Sequence, residues 1–226
     1  MRTARAVAAA LSVLTVLLSS TVAHADATGH APAPGDSVTL PVRDALVALP
    51  VRDESRAGYQ RTKFKHWTDA DKDGCNTRME VLKAEAVAAP VQGPNCVLTG
   101  GSWYSPYDDR YFDSAGKLDV DHLVPLAEAW DSGASQWTAK ERELYANDLD
   151  DARDLVAVSA ASNRSKADKD PSEWLPPYTA YWCQYDTDWI ADKTRWNLSI
   201  DATEHDALTL QLADCPDEPI TVTLAR

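Results

Sequence analysis

The sequence predicts an α+β fold, mostly helical around one small β-hairpin and stabilised by disulfides. Three observations lead there. Two short β-branched runs, at 119–124 and 154–158, flank a stretch that opens a helix with a capping box, Thr138-Ala139-Lys140-Glu141. Segments of helical period lie on both sides of that pair. Four cysteines complete the pattern, an even number in a chain that begins like an exported one.

Residues 1–25 read as a secretory signal peptide. Arg2 and Arg5 give the positive start, residues 7–18 are apolar, and Ala23-His24-Ala25 supplies the small-x-small cleavage site. The apolar run is too short, and too soon followed by polar residues, for a membrane anchor. The expected product is secreted and extracellular, with no membrane attachment in its mature form. Residues 26–37 are rich in Ala, Pro and Gly and read as a flexible leader. The remaining length, 38–226, suits a single domain with a sizeable core.

Within that domain, 38–52 carries short apolar alternation at Leu40, Val42, Leu46 and Leu49 and fits a strand or an extended packing segment. Residues 55–67 read as a helix bearing Arg56, Arg61, Lys63, Lys65 and His66. Residues 77–89 read as a second helix, stopped by Pro90. The stretch 100–111 is turn-rich and aromatic, and 119–124 is a strand. The capping-box helix runs to about Leu149, and 154–158 is the second strand. Ser159 or Ser162 caps the helix that carries Asn163. Pro177 opens a further helix with Tyr178, Trp182, Tyr185 and Trp189 at helical spacing, and a last helix covers roughly 202–212. The spacing of the eight tryptophans favours core packing over base stacking.

Cys75, Cys96, Cys183 and Cys215 allow three pairings. Cys75–Cys96 and Cys183–Cys215 are favoured because each closes a moderate loop within one region. No Cys-x-x-Cys occurs, which argues against a zinc ribbon or a dithiol redox site. Removing residues 1–25 takes away two arginines and no acids, leaving 20 basic against 35 acidic side chains. That balance argues against tight stoichiometric binding of nucleic acid. It is compatible with hydrolysis, which needs only local positive charge and a bound cation.

Asp69-Ala70-Asp71-Lys72-Asp73-Gly74, with Glu80 at the twelfth position, fits a calcium loop of alternating acids, a turn glycine and a closing glutamate. The alternative is a solvated acidic turn. Ca2+ is the cofactor expected there, in a structural role.

The chemistry concentrates elsewhere, in Asp119-Val120-Asp121-His122-Leu123-Val124-Pro125, Leu155-Val156-Ala157-Val158 and Asn163-Arg164-Ser165-Lys166. Asp121 and Asn163 offer hard oxygens for a divalent cation, His122 an imidazole to deprotonate water, and Arg164 and Lys166 positive charge for a phosphate. Adjacent strand residues point to opposite faces, so Asp121 and His122 share a site only if the strand ends there, and Pro125 favours such an ending.

These motifs closely resemble the ββα-metal core of HNH endonucleases, and most of all the secreted bacterial and fungal ones related to the C-terminal domain of the GmrSD restriction enzymes. The likeness continues through Ala129-Trp130, Ser132-Gly133-Ala134, Asn147-Asp148-Leu149 and Lys169-Asp170-Pro171-Ser172-Glu173-Trp174. It implies that Asp121 and Asn163 bind Mg2+ or Mn2+, that His122 is the general base, and that Lys166 and Arg164 serve the catalytic and phosphate-facing roles. The substrate implied is nucleic acid, DNA favoured over RNA. No motif for major-groove readout is evident, so low sequence specificity is expected, and the chain is expected to be a monomer. Where the family carries a bracing Asn on the second strand, this chain carries Asp154. Glu128 and Asp168 read as surface carboxylates, with contact to the metal through water as the alternative. A rival reading is a non-enzymatic secreted calcium-binding interaction protein; another is a metallo-phosphodiesterase of small substrates.

Overall fold

Alternation of Leu118 and Val120 with Asp119 and Asp121 gives one strand an apolar and an acidic face, and the fold is arranged around that division. The computed structural model describes residues 32–226; the segment read as a signal peptide and the first half of the leader lie outside the described residues. The chain runs β1 (Ser37–Pro41), α1 (Val42–Ala48), α2 (Thr77–Ala84), β2 (Ala86–Ala88), β3 (Val91–Gln92), β4 (Leu98–Thr99), β5 (Ser102–Ser105) and β6 (Arg110–Phe112). It continues through β7 (Leu118–His122), α3 (Leu126–Asp131), α4 (Ala139–Tyr145), β8 (Leu155–Ser159), α5 (Ala160–Lys166), α6 (Trp182–Trp196), α7 (Ala202–Leu212) and β9 (Pro219–Thr223). The class is α+β, as the sequence predicts.

β7 and β8 pair antiparallel with Asp119 opposite Val158, Asp121 opposite Val156 and His122 opposite Leu155. Leu118, Val120, Leu155 and Ala157 share one face and pack with Val81, Leu82 and Trp103 in a small core of their own. The larger core gathers α1, α3, α6 and α7 around Tyr145, Tyr185, Trp189 and Trp196. β1 and β9 close it as an antiparallel pair that ties the two ends of the described chain together.

Several elements depart from expectation. The helix expected at 55–67 is a single 3-10 turn, Arg61–Lys63. Gly58 takes φ +75°, a left-handed backbone that helices exclude. The aromatic residues there pack instead: the ring of Phe64 lies 6.4 Å from that of Trp130 and 6.1 Å from that of Tyr145. Residues 38–52 supply both a strand and a helix, β1 and α1. The leader is shorter than expected at its C-terminal end, because Gly35 donates to Leu224 O at 2.8 Å and Ser37 opens β1. α2 stops at Ala84 and the chain turns into β2. The turn-rich stretch at 100–111 is built on β5 and β6, an antiparallel pair.

The capping box on α4 forms with both of its reciprocal hydrogen bonds. Both expected disulfides form, Cys75–Cys96 and Cys183–Cys215. Trp103, Trp130, Trp137, Trp189 and Trp196 are buried, whereas Trp182 is exposed.

Candidate active site

β7 ends at His122, and the turn after it is fastened from several directions. Leu123 N donates to Asp154 O at 3.0 Å, Val124 N donates to Asp192 Oδ2 at 3.3 Å, and the Tyr145 hydroxyl donates to Val124 O. The strand ending lets Asp121 and His122 line one cleft together. Tyr59, Arg61, Pro125, Asn163, Arg164 and Asp168 also line it, around a volume of about 460 Å³.

His122 is buried, and its Nε2 donates to the backbone oxygen of Ala146 at 3.0 Å. A carbonyl can only accept, so the proton sits on Nε2 and Nδ1 keeps its lone pair. Among the described residues nothing donates to Nδ1. Burial pushes the His122 pKa down to about 3, so the ring is neutral at ordinary pH. Trp67 covers the imidazole, with ring centroids 5.1 Å apart and planes 31° apart. Its backbone sits in the left-handed region at φ 57°.

Asp121 is buried on the acidic face of β7. Its Oδ2 accepts from the Tyr107 hydroxyl at 2.7 Å and from Lys166 Nζ at 2.5 Å. Burial pushes the Asp121 carboxyl up and the Lys166 ammonium down, and their mutual contact pulls each back. Among the described residues no donor reaches Oδ1. Asn163, on α5, directs Nδ2 towards Asp119 Oδ2 at 3.5 Å, which leaves its amide oxygen free for a cation.

Ser159 caps α5 by accepting from Ser162 N, and this sets the first turn that brings Asn163 over the hairpin. Ser159 N donates to Ser105 Oγ at 3.0 Å and the Ser162 hydroxyl donates to Asp108. Those bonds anchor the β5–β6 turn that delivers Tyr107.

Lys166 requires a correction. It is wholly buried and spends its three N–H groups on Asp121 Oδ2, His122 O at 3.1 Å and Leu123 O at 2.6 Å. It therefore does not face a phosphate in the cleft: at the last residue of α5 it is turned into the protein, with every N–H bound to β7 or to the turn after it. Arg164 is exposed on the cleft wall, with Nε 3.5 Å from Asp119 Oδ2. Arg61 lines the same cleft.

Glu128 is not a surface carboxylate either. It is buried and paired with Lys193 at 2.8 Å, together with Glu204 on the same ammonium at 2.7 Å. Asp168 is exposed and bound to Arg56. Asp154 begins the β8 side of the hairpin. Its Oδ2 lies 3.2 Å from Arg195 Nε, beside Asp148, which receives Arg195 at 2.9 Å and the Trp196 indole at 3.0 Å. This cluster holds the loop that carries Ala146. Ala146, Asp148, Arg195 and Tyr107 were not apparent from the sequence, although Asp148 belongs to the quoted Asn147-Asp148-Leu149 motif.

Asp69, Asp71 and Asp73 lie apart from the cleft, exposed, each with one carboxylate oxygen within 4.8 Å of the others. The flanking helix is present only after the loop, and Glu80 turns to Lys83 at 3.1 Å instead of joining the three aspartates. Of the two helices expected on either side of the loop, at 55–67 and 77–89, only the second forms. The Cys75–Cys96 bond pins the loop to the strands beyond it.

Residues 83–210 match the family model described as GmrSD restriction endonucleases, C-terminal domain. The chain is also similar to an uncharacterized secreted protein of Arthroderma benhamiae, 42% identical over 171 residues, which covers 75% of this chain and 82% of the relative. No solved structure matches. Among the described residues no helix is long and apolar enough to cross a membrane. With more than half of its length matched, the chain belongs to the family of GmrSD restriction endonuclease C-terminal domains.

Proposed function

We propose that this chain is an exported, monomeric, metal-dependent endonuclease that hydrolyses phosphodiester bonds of DNA, with RNA as a second substrate and little sequence specificity. The observation that carries the reading is the juxtaposition, on one cleft wall, of an imidazole fixed in one tautomer and a carboxylate with one uncommitted oxygen. Family membership supports a nucleic-acid substrate, and the fungal relative, named a secreted protein, supports export.

In this reading His122 Nδ1 takes a proton from the attacking water as its oxygen bonds to phosphorus and the opposite bridging P–O bond breaks. Asp121 Oδ1 and the Asn163 amide oxygen hold a magnesium- or manganese-type cation. Two hard oxygens beside an open cleft suit such an ion, which keeps most of its water. When bound, the ion supplies Lewis-acid stabilisation of the departing oxygen. Arg164 and Arg61 meet the non-bridging phosphate oxygens, so sequence is not read. Asp121, His122 and Asn163 are the catalytic residues, with Lys166 behind them.

Incubation with supercoiled plasmid and magnesium, with and without excess chelator, tests this. Nicking and linearisation that vanish in chelator are expected. Undiminished cleavage in chelator overturns the metal role. No plasmid cleavage, with turnover of a small diester or with calcium binding alone, overturns the endonuclease reading.

A further inference from the structure

Two donors from distant parts of the chain converge on the same oxygen of Asp121. The Tyr107 hydroxyl comes from the β5–β6 turn and Lys166 Nζ from the end of α5, and both land on Oδ2. Tyr107 and Lys166 are both fully buried. Lys166 is further fixed by the carbonyls of His122 and Leu123, so all three of its N–H groups are committed. The cleft face of the carboxylate is Oδ1, where no donor from the described residues arrives.

An ionised carboxylate left alone can grip a cation with one oxygen or with both. Calcium accepts two-oxygen grips in large, flexible shells, whereas magnesium demands near-octahedral geometry and single-oxygen contacts. A carboxylate whose second oxygen is held by an ammonium and a phenol can offer only its first. We propose that Tyr107 and Lys166 are positioning residues that make Asp121 a one-oxygen ligand and so bias the cleft towards a small octahedral cation over calcium. The proposal rests on the metal site of the preceding section and adds which buried groups set its selectivity. Lys166 also joins the Asp121 side chain to the backbone of His122, so the ligand and the base keep a fixed spacing.

Tyr107→Phe is the informative variant, since it removes one hydroxyl and keeps the ring against Trp174, Tyr181 and Tyr185. Manganese binding to the full chain is measured by calorimetry, with calcium as competitor, and Asp121→Ala defines the cleft's share of the heat. Groups that orient metal ligands typically contribute about 10–100-fold in affinity. Folded Tyr107→Phe should therefore bind manganese about tenfold more weakly in the cleft, and calcium should displace it at a lower calcium-to-manganese ratio than in wild type. The magnesium needed for half-maximal cleavage should rise in parallel, with the rate recovered by added magnesium. Lys166→Met should shift the same quantities further wherever it folds. Wild-type manganese affinity and wild-type calcium competition in folded Tyr107→Phe would overturn the inference while leaving the metal site intact. Identical titrations for wild type and Asp121→Ala would remove the metal site itself, and the inference with it.

Discussion

His122 donates through Nε2 to the backbone oxygen of Ala146, 3.0 Å away and 24 residues along the chain. That contact decides which ring nitrogen can act on a substrate. It also makes the candidate base depend on a loop that no catalytic motif contains. The loop is held in turn by Asp148, Asp154 and Arg195, so the chemistry of the cleft reaches back to α6.

Arg195 is accordingly expected to matter to both stability and activity. Arg195→Leu leaves the buried carboxylates of Asp148 and Asp154 without their cation. Removing one partner of a buried ion pair typically costs about 3–5 kcal/mol. Urea unfolding should show a loss of that order, with weaker DNA cleavage in whatever remains folded. A loss under about 0.5 kcal/mol, the range of ordinary surface changes, would mean the cluster does not brace the loop.

Asp186 gives a stability that depends on pH. It is buried in α6 with neither carboxylate oxygen partnered among the described residues, and burial pushes its pKa from 3.8 up to about 7. The folded chain therefore holds a proton that the unfolded chain releases at 3.8. The resulting stabilisation is complete below 3.8 and is lost as pH rises through about 7. Asp186→Asn should flatten the fall in melting temperature between mildly acidic and mildly alkaline buffer. An unchanged slope in that variant would assign the dependence to other groups.

The hairpin and the start of α5 were legible because local chemistry writes them: alternation in β7, β-branched residues in β8, and a serine cap. The helix face on which a charge lies is not written locally. Lys166 reads as a phosphate cation by its place beside Arg164, yet it points into the protein while Arg164 points out. The same holds for α6, where Asp186, Asp188, Asp192, Lys193 and Arg195 are buried on what a sequence presents as a polar helix. Lys193 pairs with Glu128 of α3, Arg195 pairs with Asp148 beside Ala146, and Asp192 accepts from Val124 N, all far away in sequence. At 55–67 helix-compatible composition gave way to tertiary packing of Tyr59 and Phe64 against Trp130. The β1–β9 pair joins Ser37 to Thr223 and no local signal announces it.

Reduction of the two disulfides should lower the melting temperature. Cys75–Cys96 and Cys183–Cys215 close loops of 21 and 32 residues in sequence separation. Each cross-link is expected to stabilise by about 2–4 kcal/mol. Calorimetry with and without reductant checks this; coincident melting curves for the oxidised and fully reduced chain would contradict it.

The acidic loop makes a separate prediction about calcium. A ligand that binds only the folded state raises its melting temperature. If the pattern at 69–80 holds calcium through Asp69, Asp71 and Asp73, millimolar calcium should raise the melting temperature of wild type and leave that of Asp71→Ala where it was. A wild-type protein indifferent to calcium would leave the loop a solvated acidic turn.

The central claim is that His122 removes the proton from water. The direct measurement is the single-turnover cleavage rate of supercoiled DNA by His122→Ala at saturating magnesium, on protein whose circular dichroism and melting temperature match wild type. Loss of a general base typically costs about 10²–10⁴-fold, and a fall of at least a hundredfold is predicted. Cleavage by folded His122→Ala at the wild-type rate would contradict the account.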